Sequence, residues 1–109
     1  ITMHHFPPTG GDKHVYMCVY NIASSVKELG ENVTNIGSWG INTVNGKNMY
    51  TPPCSQGPGA KTYIITVYAL SSPPVVSTSP SATTMDVVVA AMSGKLLAKS
   101  EISVNYTRL

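Results

Sequence analysis

The sequence predicts a mostly β domain with one helix near its C-terminal end. Three observations carry this. Residues 14–21, HVYMCVYN, and 63–70, YIITVYAL, are short runs rich in β-branched and aromatic residues, the composition of buried strands. In residues 101–109, Ile102, Val104 and Tyr106 alternate with Ser103, Asn105 and Thr107, as in a half-buried terminal strand. Met85, Val88, Val89, Met92 and Leu96 instead recur at helical spacing and give one buried stripe.

At 109 residues the chain makes one domain, residues 1–109, with enough length for a core. Charged residues are 11% and the formal net charge is +2, with no basic stripe, so a nucleic-acid binder's electrostatic footprint is missing. No run approaches a membrane span and no signal peptide is visible. Low charge with abundant Ser, Thr, Asn and Tyr suits a secreted, extracellular or periplasmic protein better than a cytosolic one. The sequons at 32–34 and 105–107 permit N-glycosylation. A start at Ile1, inside a strand-like run, suggests a processed product or the ordered part of something longer. Cys18 and Cys54 allow one internal disulfide, and their spacing matches no zinc motif, so no metal and no other cofactor is expected.

Along the chain, a short apolar run at residues 1–3 is followed by a Pro/Gly loop at residues 4–12 that opens with His4 and His5. Adjacent histidines on a strand point to opposite faces and do not chelate unless the backbone bends, so a solvated pair is the simpler reading beside metal or anion binding. In residues 14–21 one face carries His14, Tyr16, Cys18 and Tyr20, and the other carries Val15, Met17 and Val19. The second face is core; the first lines a site or has its hydroxyls satisfied by backbone. Residues 22–49 are mostly irregular, with a helical turn expected at 23–30, a hairpin-type turn at Asn45-Gly46 and Trp39 as the anchor of the loop.

Residues 50–70, YTPPCSQGPGAKTYIITVYAL, pass abruptly from a Pro/Gly loop to the clearest strand in the chain, apolar on both faces as a central strand is. Such a loop is a plain turn, or it shapes one wall of a pocket. Residues 71–81, SSPPVVSTSPS, make a surface connection. Thr83-Thr84-Met85-Asp86 reads as a capped helix start.

Taken together, these blocks resemble the phosphatidylethanolamine-binding proteins of the small bacterial and archaeal type. VYMCVYNIASSV is similar to the family's strand ending in Asn-Ile-Pro. The run from Tyr50 to Leu70 is similar to its Gly-Pro-rich loop, His-Arg-Tyr and following strand. MDVVVAAMSGKLLAKSEISVNYTRL is similar to its last helix and strand. The resemblance implies a β-sandwich-like domain with a mixed sheet and small C-terminal helices. It covers only the later two-thirds of the family's usual length. The missing strands then come from a second chain, another copy or an unseen segment, because otherwise a sheet edge and a core face lie open.

The resemblance also implies a pocket, and there the sequence departs from the family. The Asp-Pro-Asp-Ala-Pro loop falls on residues 4–8, so both acidic residues are lost. The strand histidine falls on Tyr16, with His14 two residues earlier. The histidine before Arg-Tyr becomes Lys61, with Thr62 for the arginine, and the tyrosine is kept as Tyr63. The resulting candidate site, His4, His5, His14, Tyr16, Gly57, Gly59, Lys61 and Tyr63, is basic and suits a small anion, phosphate or carboxylate. Loss of the ligand, with only the scaffold retained, is the alternative. No nucleophile–base pair has catalytic spacing, so no enzyme is expected. The first reading of function is a non-enzymatic binding module. The second is an extracellular assembly subunit whose incomplete sandwich another chain completes. Inhibition of a partner protein, known for relatives, has no independent support in these residues.

Overall fold

The computed structural model describes residues 1–8, 10–54 and 59–108. Five strands form one sheet: β1 (Thr2–His5), β2 (His14–Tyr20), β3 (Ser38–Trp39), β4 (Gly59–Leu70) and β5 (Leu96–Arg108). A 3-10 turn at Pro80–Ala82 precedes the helix α1 (Met85–Ala91). The spatial order is β3-β2-β1-β4-β5. Where the resemblance implies a mixed sheet, each ladder among the described residues is antiparallel. No described helix is long and apolar enough to cross a membrane.

The main core cluster lies on one side of this sheet, under α1. Val15, Cys18, Met85, Val88 and Met92 form it, with Tyr20, Tyr68 and Leu70 packed at its margin. Val15 and Cys18 are three apart, so strict alternation would put them on opposite faces. A bulge resolves this: Met3 pairs with Met17 and the next residue, His4, with Val15, leaving Tyr16 as the extra residue. The expected division of β2 into a Val15/Met17/Val19 core face and a His14/Tyr16/Cys18/Tyr20 site face is corrected accordingly. Val15 joins Cys18 and Tyr20 in the core, and Met17 is only half-buried.

Helix α1 starts where expected. Thr84 is the N-cap, its hydroxyl accepting from the Val87 N–H at 3.2 Å, and Asp86 sits favourably in the first turn. The buried stripe is shorter than the spacing suggests. Met85, Val88 and Met92 are buried, whereas Leu96 lies beyond Gly94, whose φ of +76° turns the chain into β5. Gly40 has a different reason for being glycine. A Cβ there would lie 2.9 Å from the Thr83 carbonyl oxygen and 3.3 Å from Cys18 Sγ, so the chain passes where no side chain fits.

Residues 41–51 are pinned to the outer edge of β2. The Thr43 N–H donates to the Val15 carbonyl at 2.9 Å and the Thr51 N–H to the Tyr16 carbonyl at 3.1 Å. The Asn45-Gly46 turn forms within this loop, with Gly46 at φ +73°. Buried Asn42 organises it: its amide donates to the Lys47 and Met49 carbonyls and to Thr51 Oγ1, while its oxygen accepts from the Val44 and Asn45 N–H groups. The Trp39 indole donates to the Thr34 carbonyl at 2.8 Å, holding the preceding loop. Residues 23–30 contain a turn closed by the Val26 N–H on the Ala23 carbonyl, not a helix.

β5 pairs with β4 over its whole length, yet each of its residues is exposed, in contrast to the half-buried strand expected from its alternation. Val67, Ile102, Val104 and Tyr106 stand on one face by register and are 49%, 59%, 45% and 52% exposed. The alternation marks a real apolar face, but α1 covers the opposite side of the sheet.

Candidate functional site

Four aromatic side chains meet at the loop end of β1, β2 and β4. His5 lies at the centre. Its ring centroid is 5.1 Å from that of His14, 6.2 Å from Tyr16 and 5.6 Å from Tyr63, and the two tyrosines are 5.5 Å apart. The strands dictate this gathering. His5 pairs with His14 across β1–β2, the bulge admits Tyr16, and β4 carries Tyr63 beside β1. Lys61, two residues before Tyr63 on the same face, is half-buried, and its charge reaches His5. The spacing between the rings is that of edge-on and offset aromatic contacts.

The cluster is buried at its base and open at its rim. His5, Tyr16 and Tyr63 are 6%, 5% and 4% exposed, while His14 is exposed. The Tyr16 hydroxyl and His5 Nδ1 lie 3.4 Å apart, a long contact, and buried His5 Nε2 has no hydrogen-bond partner. Burial pulls the His5 pKa below its ordinary value, and the neighbouring charges of His14, Lys61 and His4 act in the same direction. Burial pushes the Tyr16 phenol up, with Tyr63 adding to the effect, so it remains a neutral donor.

His4 does not join this group. It follows the alternation of β1 to the side that carries Thr2 and Cys18, and packs edge-on against Phe6 at 5.2 Å. Its pKa is also lowered, first by burial and then by Lys13, with Glu101 opposing. His4 Nδ1 and Thr2 Oγ1 are buried without partners there. The two histidines are therefore neither a chelating nor a solvated pair: both are buried, and the sheet separates them. Gly59 opens β4 opposite Arg108, exposed and at φ +106°, and Gly57 lies outside the described residues.

The allowed disulfide does not form. Cys18 holds a thiol within the core, against α1, where burial pushes its pKa up to about 11. Cys54 is exposed in the loop before β4 and borders a separate cleft. That cleft, of about 470 Å³, shares Tyr63 with the aromatic cluster and runs over Met3, Tyr50 and Tyr106 to Arg108. None of these four additional residues was singled out from the sequence. Tyr106 and Arg108 fall on one face by alternation, but only the β4–β5 register sets them opposite Lys61 and Gly59. A second hollow, of about 300 Å³, lies by Lys13, Thr43 and Asp86 and holds none of the candidate residues. Among the described residues, no group of three or more His, Cys, Asp or Glu side chains could hold a metal ion.

A five-stranded antiparallel sheet backed by one short helix, with an aromatic cluster at the loop end of its central strands, defines the fold. The family profile of the phosphatidylethanolamine-binding proteins matches residues 4–107. The chain belongs to that family. A crystallised phosphatidylethanolamine-binding-protein homologue from Chlamydia trachomatis has a similar fold, with a TM-score of 0.80 at 26% sequence identity. The match covers 98% of this chain and 69% of that one. No curated protein matches the sequence.

Proposed function

We propose that this chain is a non-enzymatic binding module whose basic aromatic cluster takes a small anion, a phosphate or a carboxylate. One observation carries the reading: His5, His14, Tyr16, Lys61 and Tyr63 converge at one end of the sheet, and no acidic group is among the charges acting on His5. Lys61 supplies positive charge at the rim, His14 adds a ring N–H there, and Tyr16 and Tyr63 supply hydroxyl donors at the base. The chemistry asked of these groups is recognition, with no covalent step. His4 is outside this site. Isothermal titration with inorganic phosphate and with acetate tests the proposal. Saturable binding of either anion, weakened at least about tenfold in His14→Ala/Lys61→Ala, agrees with the loss of charge-assisted hydrogen bonds. Unchanged binding in that variant refutes the site.

A second reading rests on β5. Its 13 residues are exposed and its outer edge has no strand beside it among the described residues. An edge of this kind is a template for another strand. On this reading the chain is an extracellular or periplasmic assembly subunit, and a second chain or another copy completes the sheet. Native mass spectrometry separates the readings: a mass of two or more polypeptides supports assembly, and a lone chain carrying an anion supports the binding module.

A further inference from the structure

The cluster around His5 holds a feature that anion recognition alone does not require. A buried imidazole sits beside Lys61 and His14, with one ring nitrogen near a phenol and the other without a hydrogen-bond partner. His5 Nδ1 is 3.4 Å from the Tyr16 hydroxyl, and Nε2 is buried with no partner. Buried polar groups are almost always paired; His4 Nδ1 and Thr2 Oγ1 are also orphaned, but only His5 Nε2 belongs to a ring set among Lys61, His14 and two phenols, where a bound anion would supply the missing partner. The groups facing it can be named element by element. They are His14 and Tyr16 on β2 and Lys61 and Tyr63 on β4; His4 acts on it only from across the sheet, and on β5 Tyr106 and Arg108 pair with Lys61 and Gly59. All the charges acting on His5 are positive.

Resting on the binding reading above, we propose that the site takes up a compact tetrahedral oxyanion together with one proton, which His5 receives from the acid form of the buffer in solution. Without the anion, burial disfavours a charged His5 first and the neighbouring Lys61 and His14 act in the same direction, so the neutral ring is favoured. With a dianion at the rim the repulsion is replaced by attraction, and the imidazolium form becomes the better one. The proton balance is simple. The neutral ring carries one N–H, and the added proton makes both nitrogens donors. Nδ1–H then donates to Tyr16 Oη, releasing that hydroxyl's own hydrogen, and Nε2–H turns towards the anion. Protonation thus makes two donors available where the empty site offers fewer. The lowered pKa of His5 keeps this reserve uncharged at neutral pH until a ligand is present. His14 and Lys61, at the rim, make the first encounter.

The test uses inorganic sulfate, which remains a dianion throughout the working range, so every proton counted belongs to the protein. Isothermal titration of the unaltered chain is run near pH 7 in buffers of different ionisation enthalpy, and affinity is measured from pH 5.5 to 8. The expected result is net uptake approaching one proton per sulfate, with affinity weakening by up to about tenfold per pH unit as pH rises through the window where uptake occurs. The imidazole signals of His5, followed by NMR, move to the imidazolium position on sulfate addition. In His5→Gln, proton uptake disappears and the affinity loses this pH dependence. Sulfate binding without proton uptake and with no change in the His5 signals overturns the coupling and leaves the anion-binding reading intact. Absence of both sulfate and phosphate binding at every pH overturns both.

Discussion

Replacing Val88 by alanine tests whether the main core cluster lies between the sheet and α1. Val88 is fully buried between the sheet and α1, with Val15, Cys18, Met85 and Met92 in the same cluster. The substitution removes two methyl groups, each contributing about 0.8 kcal/mol of transfer free energy. The cavity left behind adds roughly 1 kcal/mol where neighbours fail to collapse, and two flexible methionines lower that figure. The expected loss is about 2 kcal/mol, which lowers Tm by roughly 10 °C in a domain of this size. The matched control is Ile102→Ala. Ile102 is 59% exposed on the opposite side of the sheet, so its loss should cost less than about 0.5 kcal/mol. Urea unfolding with a common m-value gives both numbers. A Val88→Ala loss below about 0.5 kcal/mol, or an Ile102→Ala loss as large as that of Val88→Ala, refutes a main core under α1 with the β5 end of the opposite face left open.

Other outcomes follow from single residues. Asn42→Ala leaves the Val44 and Asn45 N–H groups without the side-chain acceptor and frees three acceptors from its amide, so urea unfolding should show a loss of about 2–4 kcal/mol. Stability should rise with pH between about 5 and 7, because the fold holds His4 and His5 below their ordinary value of 6.5. The unfolded chain binds protons first as pH falls, so the stability is present above 6.5 and is lost towards the folded-state values; urea midpoints across this range show the slope. Towards a thiol reagent at pH 8, exposed Cys54 should react readily, and Cys18, pushed up to about 11 and buried, should react only after unfolding. Fast reaction of both thiols in the native protein contradicts the placement of Cys18.

The strands and the helix were legible because their signals are local. The YIITVYAL run, the Thr84 cap and the Met85/Val88/Met92 stripe each state their element without reference to the rest of the chain. The faces of β2 were not, because a bulge at Tyr16 depends on how β1 pairs with β2, and no residue within HVYMCVYN announces it. The site was partly legible. Similarity to the family placed Tyr16, Lys61 and Tyr63, and the structure brings His5 and His14 to them. The same reasoning enrolled His4, which the alternation of β1 sends to the other side, and passed over Tyr106 and Arg108, whose place is fixed by a register of long sequence separation. Asn42 gave no signal either. Its importance lies in five hydrogen bonds that exist only once the loop has closed around it.

The most direct test of the anion site is to follow the histidine and tyrosine ring signals by NMR as inorganic phosphate is added to the native chain. The geometry predicts concerted, saturable shifts of His5, His14, Tyr16 and Tyr63, with His4 unmoved on the far side of the sheet. Shifts at His4 equal to those at His5, or stationary signals at His5 and His14, would contradict it.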